Sequence, residues 1–100
     1  MLMIRDVYHC KPGSVRALVD KFKAMSPLGE RAGMPKARIY TDVSAERFWT
    51  VVIEMDVESV DAFMKMGDGD AAAMKEMEAI MKGYHDLVDQ GRREIYTVEA

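Results

Sequence analysis

The sequence holds a single cysteine, two histidines, three prolines and one tryptophan. Cys10 alone excludes an intrachain disulfide and a thiolate metal cluster, and a reducing cytoplasm is the compartment such a chain suits. His9 and His85 do not form a pair at helical spacing, so neither a structural metal nor any other cofactor is expected. Basic residues gather nowhere beyond the adjacent Arg92 and Arg93, and with a net charge of −3 no nucleic-acid or anionic-membrane partner is expected. Long apolar runs are missing too. Arg5 and Asp6 interrupt any signal peptide, and the longest uncharged apolar stretch, Phe48 to Ile53, is far short of a membrane span. Repeats, phosphate loops and nucleophile–base pairs are likewise absent. What remains is a chain 49% apolar, too rich for disorder, expected to form one domain over residues 1–100. At this length a chain buries only about 60 to 65% of its unfolded surface, so a partner subunit would add useful burial.

Leu2 to Cys10 is rich in β-formers and stops at Lys11-Pro12-Gly13, a forced turn. Ser14 is placed to cap a helix whose Val15, Leu18, Val19 and Phe22 form one apolar stripe. That helix is expected to end near Met25, before Ser26-Pro27, leaving Ser26 to Lys36 as a loop that either folds over a pocket mouth or simply crosses the surface. Ala37 to Thr41 and Arg47 to Asp56 read as a hairpin turning at Val43-Ser44-Ala45-Glu46. Asp56 or Ser59 opens a short helix with Val60, Phe63 and Met64, broken at Gly67-Asp68-Gly69. A longer helix carries Met74, Met77, Ile80, Met81, Tyr84, Leu87 and Val88, closes at Gly91, and is followed by a strand from Arg92 to Val98.

The resulting βαββαβ order predicts an α+β fold with helices on one face of the sheet. Strand three is apolar on both faces, which requires cover on both sides. One chain supplies helices for one side only, so Trp49, Val51, Ile53 and Met55 are expected to form a homodimer face.

With these elements in place the chain resembles the dimeric α+β barrel superfamily, which includes cofactor-free antibiotic-biosynthesis monooxygenases, haem-degrading monooxygenases and NIPSNAP-like proteins. The resemblance spans nearly all 100 residues. It is carried by the first strand running into Lys11-Pro12-Gly13, and by Glu54-Met55-Asp56 passing into Glu58-Ser59-Val60-Asp61-Ala62-Phe63. It implies a ferredoxin-like, four-stranded antiparallel sheet, two of which pack face to face into a barrel, with a ligand cavity between each sheet and its helices. Asp56 stands where many members have tryptophan, Phe63, Met64 and Met66 where relatives often carry histidine, and Asp6 where the haem-degrading branch uses asparagine. Haem is therefore not expected.

Strand parity groups Ile4, Asp6 and Tyr8 on one face of strand one, and Thr50, Val52, Glu54 and Asp56 on one face of strand three. If both face the helices, Asp6 and Glu54 meet in a cavity, where like charge and desolvation would raise at least one carboxyl toward a useful general base. The plainer alternative leaves them solvated near strand ends, or paired with Arg38 or Arg5. His85, at the border of the last helix's apolar stripe, is the third proton-transfer candidate, or else a partly exposed residue bonded to an acid or water. Tyr8, Arg38, Thr50, Asp56, Phe63, Met77 and Met81 complete the substrate-binding candidates, the methionines serving as adaptable lining or as flexible core filler. The function read from these residues is binding of a small apolar or aromatic molecule, with cofactor-free monooxygenase- or isomerase-like activity as its enzymatic form. A non-catalytic ligand-binding or assembly module is the alternative.

Overall fold

A computed structural model describes all residues, 1–100. Four strands, β1 (Leu2–Cys10), β2 (Arg38–Thr41), β3 (Thr50–Val57) and β4 (Val88–Thr97), form one antiparallel sheet in the order β2-β3-β1-β4. Helices α1 (Val15–Arg31), α2 (Val60–Met64) and α3 (Ala71–Met81) lie between them in sequence, and a single 3-10 turn spans Tyr84–Asp86. This is the ferredoxin-like α+β architecture.

The α1 stripe behaves as its spacing demands. Leu18, Val19 and Phe22 are buried with Cys10 and Val51, and Tyr8, Ile39, Ile53, Met81 and Tyr84 pack around them. Burying each such side chain stabilises by roughly 1.5–3 kcal/mol, and truncating the fully buried Leu18 to alanine would cost about 2–5 kcal/mol. Lys21 on α1 donates to the carbonyls of Ile80 (2.8 Å) and Lys82 (3.1 Å) at the end of α3, a cation at a helix C-terminus. Arg31, at the other end of α1, meets Asp70 at the start of α3 at 3.5 Å. The two helices therefore run antiparallel across the sheet.

Several boundaries differ from the sequence reading. Helix α1 continues through Pro27 to Arg31, with Ser26 Oγ donating to the Phe22 carbonyl and Gly29 buried. Ser14 occupies the N-cap position without a capping side-chain bond, whereas Ser59 and Asp70 accept from the amides of Ala62 and Ala73. The last helix stops at Met81 because Gly83 takes a left-handed conformation, φ +84°. Gly91 thus does not close a helix but lies inside β4.

The larger correction concerns faces. β1 pairs with β3 so that Asp6 opposes Ile53 and Tyr8 opposes Val51, while Arg5 opposes Glu54. Opposed residues share a face, so Asp6 and Tyr8 stand with Val51, Ile53 and Met55 beneath the helices. Val51, Ile53 and Met55 are therefore not a dimer face. Trp49 precedes β3 with a left-handed backbone, φ +63°, and borders a shallow cleft with Val15 and Phe48. The open face carries Arg5, Val7, His9, Val52, Glu54, Arg38, Tyr40, Arg92, Glu94 and Tyr96, and is predominantly polar.

Candidate functional site

Between the sheet and helices α1 and α3 lies a cavity of about 250 Å³. Its floor is Asp6 and Tyr8 of β1, Ile39 of β2, Ile53 and Met55 of β3, and Arg93 of β4. Phe22, Met25 and Gly29 of α1 and Met77 and Met81 of α3 form its walls. Met34 and Pro35 close one side, so the connection after α1 does reach the cavity, though it is shorter than Ser26 to Lys36. The space is that of roughly eight water molecules at about 30 Å³ each, room for a one- or two-ring molecule.

The polar groups are few. Asp6 accepts two hydrogen bonds from Arg93, Nε to Oδ1 at 2.7 Å and Nη2 to Oδ2 at 2.9 Å. The Arg93 guanidinium lies over the Phe63 ring, 4.9 Å from its centroid. The hydrogen bonds with Asp6 hold the Arg93 proton above its ordinary range. Because the Arg93 side chain is 51% exposed, solvent screens the pair, which stabilises the fold by about 1 kcal/mol at most. What the pair does is close the cavity's polar corner.

Tyr8 stands beside that corner. Its ring packs against Phe22 (centroids 5.3 Å) and meets Tyr84 edge-on (6.5 Å, 88°). The ring also covers Gly91 on the neighbouring strand, where a Cβ would lie at an ordinary contact distance of 3.5 Å. Burial, then the charge of Asp6 and then Tyr84, push the Tyr8 phenol up to about 12, with Arg93 opposing. The hydroxyl is thus protonated at any physiological pH, and it makes no hydrogen bond within the chain. It is a donor without a partner in the chain, on a residue that borders both the cavity and the more open recess beside it.

A second, more open recess of about 430 Å³ shares Asp6, Tyr8 and Arg93 and continues past Tyr84, His85, Asp89 and Gln90 along the β4 edge. His85 is exposed here and stacks on Tyr84 (4.0 Å), outside the cavity.

Of the sequence candidates, the structure brings together Asp6, Tyr8, Met77 and Met81, with Phe63 behind Arg93 and His85 in the outer recess. Glu54, Arg38, Asp56 and Thr50 lie on the other face of the sheet: Glu54 is 3.8 Å from Arg5 and 3.6 Å from Arg38, and Arg38 also meets Asp56 at 3.6 Å. Asp6 and Glu54 therefore do not converge, because paired strands place them on opposite faces. Arg93, Gly29, Met34 and Met55 line the cavity and were missed. For Arg93 the available signal was a charge in step with Gly91 and Ile95, the inward parity of an edge strand.

Thr50 belongs to a separate cluster. Its hydroxyl donates to the Arg47 carbonyl (2.7 Å), so its oxygen accepts from His9 Nδ1 (3.3 Å). His9 Nε2 then accepts from Arg92 (3.2 Å). His9 is neutral in this arrangement, and burial followed by the charges of Arg47 and Arg92 lowers its pKa. No three His, Cys, Asp or Glu side chains cluster to hold a metal ion, and no helix is long and apolar enough to cross a membrane.

No protein-family model and no curated protein matches the sequence. Solved structures do. A NIPSNAP domain protein from Burkholderia xenovorans is 13% identical at TM-score 0.72, over 100% of this chain and 96% of its own. A NIPSNAP family protein from Agrobacterium tumefaciens is 12% identical at TM-score 0.75, over 98% and 86%. A putative antibiotic biosynthesis monooxygenase from Nitrosomonas europaea is 12% identical at TM-score 0.70, over 100% of both chains. At such identities the likeness is one of fold, and the chain has the ferredoxin-like α+β fold of the NIPSNAP and antibiotic-biosynthesis-monooxygenase proteins.

Proposed function

We propose that this protein binds a compact, largely apolar molecule of one or two rings carrying a hydrogen-bond-accepting oxygen, held between sheet and helices. The observation that carries the reading is a methionine-lined cavity of about 250 Å³ whose lining includes Tyr8, a tyrosine with no hydrogen-bond partner in the chain. Small-molecule sites combine an apolar lining with a few placed polar groups, and methionine adapts to ligand shape. Tyr8 donates to the ligand oxygen, the Asp6–Arg93 pair bounds the polar end, and Met25, Met34, Met55, Met77 and Met81 enclose the body. Asp6 is committed to Arg93 and His85 lies outside the cavity, so binding is the primary activity. A cofactor-free, monooxygenase- or isomerase-like turnover is its enzymatic extension. We read the working form as a cytoplasmic homodimer joined through the open sheet face, as the resemblance implies.

The test uses 1-tetralone and 2-naphthol as probes and methionine methyl NMR as readout. The five lining methyls shift on titration, while the exposed Met1, Met64 and Met74 stay put. Uniform shifts, or none at Met34, Met55, Met77 and Met81 with either probe, overturn the reading.

A further inference from the structure

The recess beside the cavity differs from it in charge and in cover. It opens because α3 stops at Met81 while β4 begins only at Val88, so the first residues of β4 run beyond helical cover and Tyr84 and His85 of the 3-10 turn wall the space instead. Its volume is about 430 Å³, and Asp6, Tyr8 and Arg93 line both it and the methionine-lined cavity. A molecule seated in the cavity therefore has an adjoining polar space into which a substituent can extend.

Both arginines of the recess are already engaged. Arg93 donates Nε and Nη2 to Asp6 at 2.7 and 2.9 Å. Arg92 donates Nε to Glu94 at 2.8 Å and Nη1 to His9 at 3.2 Å. The side-chain carbonyl of Gln90 accepts from Arg47 at 3.2 Å. With Asp6 paired to Arg93, Asp89 is left as the recess carboxylate that has neither an ion pair nor a hydrogen bond in the chain. The rest of the lining is largely aromatic: Tyr8, Tyr84 and His85, the last two stacked at 4.0 Å. A carboxylate without a cation, in a space with aromatic rings, suits a positively charged donor, which makes the stronger hydrogen bonds and is attracted to ring faces.

We propose that the ligand of this protein carries a short arm ending in a primary ammonium group, which lies in the recess and donates to Asp89. This rests on the cavity-binding reading above and names the polar end of its ligand. An anionic arm would meet the charge of Asp89 with both arginines already taken. A neutral arm would leave that charge to water. Arm length follows from strand register. Tyr8 opposes Gly91, and Asp89 is two residues further along β4, about 7 Å at the rise of a strand. Three carbons between a ring oxygen and the ammonium, with one hydrogen bond at the end, span that distance.

Three probes that share a naphthyl ether and differ only at the end of the arm test this: 3-(2-naphthyloxy)propylamine, 3-(2-naphthyloxy)propan-1-ol and 3-(2-naphthyloxy)propanoate. Titrations at pH 7.5 follow the lining methionine methyls for the ring and the His85 ring protons for the arm. The amine is expected to bind about two- to fivefold tighter than the alcohol, the range of an exposed ion pair, and the acid more weakly than the alcohol. The amine's advantage shrinks as salt rises. Asp89→Asn removes it, whereas Asp20→Asn, the same charge change at an exposed α1 position lining neither space, retains it. Independently of any variant, the amine shifts the His85 ring protons. Equal affinities for amine and alcohol, an advantage that survives Asp89→Asn, or a silent His85 overturns the ammonium arm while the methionine shifts leave the cavity reading standing. Lining methyls that respond to none of the three probes overturn both.

Discussion

Replacing Gly29 with alanine adds one methyl group where the wall of α1 meets the cavity. The backbone there is ordinary helix, and a Cβ would lie 3.4 Å from Met34 Sδ and 3.8 Å from Met77 Cε, which are normal van der Waals contacts. Glycine costs roughly 0.8–1 kcal/mol against alanine in a helix interior. Gly29 is two residues from the last helical residue, Arg31, so about half of that applies. Burying the methyl adds up to about 0.8 kcal/mol. The sum, about 1 kcal/mol, raises the thermal midpoint by about 4–8 °C in a domain of this size. The same methyl occupies space the ligand needs, so Gly29→Ala weakens 1-tetralone binding and Gly29→Leu abolishes it. Thermal unfolding and methionine-methyl titration of the same samples measure both effects. If the midpoint falls, Met34 and Met77 are too rigid to accept the methyl. If it rises while Gly29→Leu binds 1-tetralone unchanged, the cavity is not the binding site.

Tyr8→Phe removes the cavity's free donor and should weaken 1-tetralone about two- to tenfold, the worth of a net hydrogen bond of about 0.5–1.5 kcal/mol, without lowering stability at pH 7. It should also flatten an alkaline limb. Between the ordinary phenol pKa near 10 and the folded value of about 12, the native chain keeps a proton the unfolded chain has lost, so wild-type stability falls with rising pH there, and denaturant titrations at pH 9 and 11 would show it. His9 works in the other direction. Its folded pKa lies below the ordinary 6.5, so below pH 6.5 the unfolded chain binds a proton the native one refuses and stability declines on acidification. His9→Gln should lack that slope between pH 7.5 and 5.5, and a slope equal to wild type would assign it to other groups.

The order of elements, the α1 stripe and the turn at Lys11-Pro12-Gly13 were legible because each is a local consequence of residue type. Helix ends were less so. Pro27 looked like a stop, yet α1 runs through it, with Leu28 half-buried and Gly29 fully packed beyond it. Gly83, the true stop, looked weaker than Gly91 because nothing local distinguishes a glycine that ends a helix from one that lies inside a strand.

Faces were the hardest quantity to read. Alternation sorts each strand into two sets, but matching sets between strands needs the register, and one step of register reverses every assignment. Here even-numbered β1 residues share a face with odd-numbered β3 residues. That single parity moved Val51, Ile53 and Met55 under the helices and Glu54 away from Asp6. The signal that would have chosen correctly was chemical. Thr50, Glu54 and Asp56 on one parity of β3 match Arg5 and His9 on β1, whereas Val51 and Ile53 match the Tyr8 and Cys10 that pack on α1. Complementarity across strands, counted before faces are assigned, separates a charged open face from an apolar cavity floor. Asp6 is the one acid left on the cavity side of β1 and β3. Its partner Arg93 lies 87 residues away on β4, and no local pattern pairs residues so distant in sequence.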